Sequence, residues 1–185
     1  MSHRRPTWDE YFVEMARLAA TRATCPRRRV GAVLVRDARV IATGYNGAVR
    51  GAPHCDDVGC LLDNGHCKRT VHAELNALLQ CALNGVSSRG STLYTTDFPC
   101  VDCAKALVQA GVERVIYLAD YPDPNSAGVL RAGGVELYRA VPVEEPPGDA
   151  EAAATRVVLD DGDLPFARFV PARAGYRLVR DPRGA

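Results

Sequence analysis

The chain has 185 residues, 47% of them hydrophobic and 24% charged, with 23 Lys and Arg against 22 Asp and Glu. That length and composition suit one compact α/β-sized domain with its own core and room for an appendage. The near balance of charge excludes a global field that would draw the protein onto nucleic acid or an acidic membrane, so small molecules are the expected partners.

In chain order, Trp8, Tyr11, Phe12, Met15, Leu18 and Ala19 recur at helical spacing. Thr7 with Glu10 gives that helix a capping box, and its pattern extends to about Arg22. Val30 to Val35 and Val40 to Tyr45 are β-rich runs joined by Arg36-Asp37-Ala38-Arg39, which predicts a hairpin. Residues 46–70 have no period and collect Gly, Pro, Asp, His and Cys. A structureless loop of that length is unexpected in a compact domain unless something functional orders it. A helix over His72 to Asn84 follows, ending at Gly85. Then come a strand over Ser91 to Thr96, a helix from Cys100 to Ala110 ending at Gly111, and a strand over Arg114 to Ala119. A weaker helix (Asn125 to Ala132) and a short strand (Val135 to Tyr138) complete the pattern.

This order predicts one mixed sheet covered on both faces, with crossover helices enforcing parallel neighbours late in the chain. From Val141 the run VPVEEPPGDAEAAAT reads as a Pro-rich linker, and the tail behind it holds VVLDD, ARFV and YRLV, which suit edge strands or a docked tail. The domain division expected is therefore 1–140 and 141–185, with no chemistry in the second part.

Seven cysteines exceed ordinary packing use, and their odd number argues against a pure disulfide framework. Neither an apolar stretch behind the N-terminal arginines nor a run of about 18 apolar residues occurs, so a soluble, cytoplasmic protein is expected. There, clustered Cys and His usually mean metal.

The strongest signal is His72-Ala73-Glu74 followed by Pro99-Cys100-Val101-Asp102-Cys103, each at an expected helix start. One His and two Cys give zinc three protein ligands and leave one position for water, which makes such a site catalytic rather than structural. Cys100 and Cys103 stand at i and i+3, so both sulfurs can face one ion, and the positive end of the helix dipole favours thiolate. His72 and Glu74 are more demanding. At i and i+2 on a regular helix they would stand about 200° apart. His72 must therefore lie at or before the helix start, leaving Glu74 free to accept and return the proton of the water. H-x-E with P-C-x-x-C is the signature of zinc base deaminases, in which water attacks C4 of cytosine or C6 of adenine.

Cys25, Cys55, Cys60 and Cys67 lie in or beside loops. Four soft ligands would make a closed structural zinc site that orders residues 46–70, with His54 or His66 as possible substitutes; free thiols are the alternative. Cys81, at a core-facing helical position, is a buried thiol.

The run from Thr24 to Val33 (Thr-Cys-Pro-Arg-Arg-Arg-Val-Gly-Ala-Val) and Gly44-Tyr45-Asn46-Gly47 belong to a wider pattern. His54-Cys55-Asp56, Gly65-His66-Cys67, Thr70 to Glu74 and Phe98-Pro99-Cys100 continue it in order. Over about residues 7–140 this closely resembles the zinc-dependent cytidine/deoxycytidylate deaminase family, in its bacterial dCMP deaminase and late-competence deaminase-like branch. The resemblance implies a three-layer α/β/α sandwich with one mixed five-stranded sheet, and hydrolysis of dCMP to dUMP and ammonia for thymidylate synthesis. With the four loop cysteines, the expected cofactors are one catalytic zinc and a second, structural one. The resemblance puts Asn46 on the sugar 3′-hydroxyl, and Arg27, His66, Ala73 and Tyr121 around the nucleotide. It further implies a homo-oligomer, a hexamer in some relatives, with dCTP and dTTP as effectors. From charge alone Arg28 and Arg29 suit a phosphate as well as Arg27 does. Asn46-Gly47 is also an ordinary turn pair, and Tyr121 beside Pro122 also suits packing.

Two rivals remain. One is a deaminase for another cytosine nucleoside, nucleotide or modified base, where RNA would want a basic patch that the charge balance does not supply. The other is a non-catalytic, zinc-stabilised nucleotide-binding or competence accessory protein, which has no use for Glu74.

Overall fold

The computed structural model describes residues 5–63, 65–143 and 175–184. Helix α1 (Trp8–Ala20) carries the capping box, with Thr7 Oγ1 accepting from the Glu10 N–H and Glu10 accepting from the Thr7 N–H. Strands β1 (Gly31–Arg36) and β2 (Arg39–Tyr45) form the expected hairpin. Its two turn residues, Asp37 and Ala38, have φ of 52° and 55°, the left-handed pair that matches a hairpin's twist.

The aperiodic stretch is ordered in short pieces. These are β3 (Gly47–Ala48), α2 (Cys55–Val58), β4 (Leu62–Asp63), β5 (His66–Cys67) and β6 (Thr70–Val71). β3 pairs with β6 and β4 with β5, both apart from the main sheet. Beyond them lie α3 (Ala73–Leu83), β7 (Thr92–Asp97), α4 (Val101–Gln109), β8 (Arg114–Ala119), α5 (Ser126–Ala132) and β9 (Glu136–Pro142). Both interior helices stop where a glycine can take positive φ, at Gly85 (65°) and Gly111 (74°).

The main sheet is mixed, with β7, β8 and β9 parallel and β1 antiparallel to its neighbours. Five of its strands match the sequence pattern. A sixth, β10 (Tyr176–Arg180), comes from the tail and lies antiparallel on β9, so the order is β10-β9-β8-β7-β1-β2. The five-strand expectation is one short, because YRLV, a candidate edge strand, covers the open side of β9. β9 also runs to Pro142, across the expected division at residue 140. VVLDD, ARFV and most of the linker lie outside the described residues.

Alternation along β1 splits the core between the sheet faces. Ala32 and Leu34 pack with Ala77, Leu78, Ala104, Leu107 and Leu130 of α3, α4 and α5, while Val33 and Val35 pack with Phe12, Val13 and Ala16 of α1. The layers are α/β/α, as expected. One close approach sets the site: a Cβ at Gly44 of β2 would run into the Ala73 carbonyl oxygen and the Ala77 nitrogen of α3. The first turn of α3 therefore sits directly on the sheet. Gly44→Ala should destabilise the protein by about 1–3 kcal/mol through overpacking, read as a lower urea midpoint.

Candidate active site

His72 is the N-cap of α3, with φ −68° and ψ 154°, and its carbonyl accepts the first helical bond from Asn76 at 2.8 Å. The chain is thus still extended at His72 and helical from Ala73. This resolves the i, i+2 problem in the way the sequence requires. Cys100 is likewise an N-cap, with φ −71° and ψ 168°, one residue ahead of α4 rather than inside it as the sequence pattern suggested. Its carbonyl still accepts from Ala104 at 2.8 Å, so the extended residue and the first turn together carry the i, i+3 thiols. The Cys100 side chain caps nothing. The Val101 N–H is satisfied instead by Asp123 Oδ2 at 2.8 Å.

The two helix starts face each other. His72 Nδ1 lies 3.3 Å from Cys100 Sγ and 3.5 Å from Cys103 Sγ, and the three donor atoms all lie within 4.8 Å of one another. A tetrahedral zinc with bonds of about 2.0 Å to nitrogen and 2.3 Å to sulfur needs donor separations of about 3.5–3.8 Å, so the set fits. Its electrostatics fit too. The Cys103 thiol and then the His72 ring hold Cys100 down to about 4, while the bond to Cys100, with burial, pushes Cys103 up. His72 is raised through its bond to Cys100.

Glu74 is 4% exposed, one residue past the start of α3, and faces the same cavity. Burial raises its carboxyl to about 7, against smaller opposing contributions from its own backbone N–H and His72.

That cavity has a volume of about 430 Å³. Arg27, Asn46, His66, Ala73 and Tyr121, the expected substrate set, all line it. Arg27 donates to the Gly65 carbonyl at 3.0 Å, and Tyr121 OH is 2.8 Å from His66 Nδ1. Asn46 is buried and bonded to backbone, accepting from the Val30 N–H at 2.7 Å and donating to the Arg28 carbonyl at 2.8 Å. It thereby fixes the arginine run. Ala73 is fully buried. Of the three arginines, Arg27 and Arg28 border the cavity and Arg29 does not. Arg28 pairs with Asp97, donates to the Asp120 carbonyl, and lies 5.0 Å over the Tyr121 ring.

Cys25, Cys55, Cys60 and Cys67 also converge, their sulfurs all within 4.8 Å, with Cys25 to Cys60 and Cys55 to Cys67 both at 3.6 Å. Burial and Cys67 push Cys55 up. Cys67 itself is pushed up by burial but brought down to about 7 by the Arg69 N–H and Cys55. Four soft donors at tetrahedral spacing fit a closed zinc site. Neither candidate substitute joins them: His54 Nδ1 is 3.0 Å from Thr24 Oγ1, and His66 is turned to Tyr121. Cys25 and Cys67 also border the cavity, so this cluster ties the arginine loop to the His66 strand. Cys81 is buried in the core, as expected.

Sequence reasoning gave no role to Asp97, Phe98 or Asp123. Asp97 and Phe98 flank the P-C-x-x-C start and could have been suspected from that place; Asp123 acts across 22 positions and left no local signal.

An imidazole and two thiols converging beside a buried carboxylate in a cation-bordered cavity could hold a zinc ion with one position open to water. The chain belongs to the cytidine and deoxycytidylate deaminase family, whose zinc-binding region model matches residues 6–119. It is 50% identical over 134 residues to ComE operon protein 2 of Bacillus subtilis, covering 72% of this chain and 71% of that one. It is 44% identical over 149 residues to deoxycytidylate deaminase of Schizosaccharomyces pombe, covering 76% of this chain but 46% of that one, about half of the yeast protein's length. Among solved structures, dCMP deaminase from cyanophage S-TIM5 in complex with dCMP and dUMP matches with a TM-score of 0.66 and 35% identity. That match covers 74% of this chain and 99% of the phage enzyme.

Asp123→Ala would leave the first amide of α4 without its acceptor. A loss of about 1 kcal/mol in stability is expected, measured by chemical denaturation.

Proposed function

We propose that this chain hydrolyses dCMP to dUMP and ammonia, supplying dUMP for thymidylate synthesis. The observation that carries the reading is the buried Glu74 carboxylate beside His72, Cys100 and Cys103, in one cavity with Arg27 and Arg28. The phage enzyme bound to dCMP and dUMP and the yeast enzyme's name support this substrate.

His72, Cys100 and Cys103 hold the catalytic zinc, and Cys25, Cys55, Cys60 and Cys67 hold a structural one. Bound at the first site, zinc supplies Lewis acidity that lowers the pKa of a water to about 7. Glu74 accepts a proton from the attacking water, delivers it to the ring nitrogen beside C4, and carries a further proton to the departing amine. The C4–O bond forms, the C4–N bond breaks, and ammonia leaves. Buried in the cavity beside the three donors, Glu74 is placed to take a proton and return it there. Arg27, with Arg28 beside it, meets the phosphate; Asn46 holds the arginine loop and faces the sugar; His66, Ala73 and Tyr121 complete the pocket.

The catalytic unit extends through β9 to Pro142, and Tyr176–Arg180 of the tail completes its sheet as β10. Self-association, with a hexamer favoured, is supported by Leu75, Leu79 and Leu83, exposed by 37%, 49% and 67% at successive turns of α3. dCTP and dTTP are the candidate effectors. A cytoplasmic setting suits seven unpaired cysteines. Among the described residues no helix is long and apolar enough to cross a membrane.

Glu74→Gln should keep dCMP binding and both zinc ions while ammonia release falls by about 10³-fold or more. Undiminished turnover would remove the proton-shuttle role, and a count of one zinc per chain in fresh protein would remove the second site. A panel of dCMP, CMP, cytidine and deoxycytidine tests the substrate, since preference for unphosphorylated compounds would take Arg27 out of the site. Light scattering should give a mass well above 19.9 kDa, falling toward it in Leu79→Glu; a monomeric wild type would refute self-association.

A further inference from the structure

The tail brings a second group of charges to the back of the substrate cavity. Asp181, just beyond β10, is 2% exposed, and a buried carboxylate is costly unless fully paired. Here it is paired from several sides. The Tyr117 hydroxyl donates to it at 2.7 Å, the Arg183 N–H at 2.8 Å, and the Arg183 guanidinium through Nε at 3.0 Å and Nη2 at 2.8 Å. Burial pushes the Asp181 carboxyl up, and the bonds from Arg183 and Tyr117 more than reverse this, so it is held below its usual value.

The guanidinium fixed in this way also donates through Nη2 to the Tyr117 hydroxyl at 2.6 Å and lies 5.6 Å over the Tyr117 ring, and it has two contacts toward the site. Its Cζ lies 4.4 Å from the centre of the Phe98 ring, and Nη2 donates to Asp120 Oδ1 at 2.8 Å. Phe98 and Tyr121 border the cavity, and Tyr121 directly follows Asp120 in the chain. The Asp120 carbonyl accepts from Arg28, whose guanidinium lies over Tyr121. Fastening the tail needs none of this: β10 already pairs with β9 through Tyr176–Arg180, and the Asp181 N–H donates to the Leu137 carbonyl at 3.0 Å. The contacts to Phe98 and Asp120 lead to the wall formed by Phe98, Tyr121 and Arg28, and neither reaches His72, Glu74, Cys100 or Cys103.

We infer that Arg183, clamped by Asp181, is a positioning residue for substrate, holding the Phe98 ring and the Asp120-Tyr121 segment in the geometry that presents Arg28 to the nucleotide. The inference rests on the proposed deaminase reading. A planar fork can hold a carboxylate, a second carboxylate and a ring face together, which a lysine cannot do.

Steady-state kinetics of the full chain with dCMP, in wild type, Arg183→Ala and Arg183→Lys, test it. Arg183→Ala should raise KM about tenfold with kcat within about twofold and zinc content unchanged, since the wall loosens while the reacting groups stay in place. Arg183→Lys should fall between the two. If the alanine variant does not fold, the lysine variant decides, with a raised KM at unchanged kcat expected. An unchanged KM in a folded variant, or a joint loss of kcat and zinc, overturns the positioning role while wild type remains active. A wild type inactive on dCMP removes the deaminase reading and this inference together.

Discussion

Two changes of backbone direction, at His72 and at Cys100, govern the site, because each places a ligand at the last extended residue before a helix. An N-cap side chain is free of the helical lattice and can turn across the helix mouth, so two such residues on facing helices can meet at one point. The residues behind them then inherit fixed directions: Glu74 into the cavity, Cys103 back toward His72. The sheet holds the geometry from below. Gly44 lets the first turn of α3 rest on β2, and Asp123 takes the Val101 amide that Cys100 leaves free.

This arrangement concentrates groups that resist each other. Two thiols, an imidazole and a carboxyl share a desolvated pocket, where burial raises Glu74 and the bond to Cys100, with burial, raises Cys103. A divalent cation relieves all of them at once, by favouring thiolate, neutral imidazole and carboxylate. The same logic operates in the cysteine cluster, where four sulfurs draw together the Cys25 loop, α2 and the β4-β5 hairpin. Segments with almost no apolar periodicity are thereby organised around a centre other than the hydrophobic core.

Much of this was legible in the residues. Helical and alternating periods gave α1, the hairpin, α3, β7, α4 and β8, because each buries one stripe or alternates between two faces. The i, i+2 spacing of His72 and Glu74 even demanded an extended His72. Cysteine spacing pointed to the second cluster. What the sequence left hidden has a common cause: contacts between distant positions carry no local pattern. Asp123 on Val101, Asp181 under Tyr117 and Arg28 against Asp97 each depend on which strands become neighbours. The tail strand was obscured in the same way, since YRLV acquires its meaning only beside β9. Asn46 differs again. A turn-forming pair by type, it is spent on the backbone of residues 28 and 30, so a side chain facing the pocket is also part of the frame around it.

The pairing of β10 with β9 also bears on how the chain meets other copies of itself. Tyr176 meets Pro142 across a long stretch of sequence, whereas β7, β8 and β9 are joined through single intervening helices. The entropic cost of loop closure grows only slowly with length, so the longer connection adds little cost to the native sheet. Without β10, β9 would present an unpaired row of amides and carbonyls, the kind of edge through which chains add to one another. The strand from the tail thus shields the sheet from edge-to-edge association with other copies.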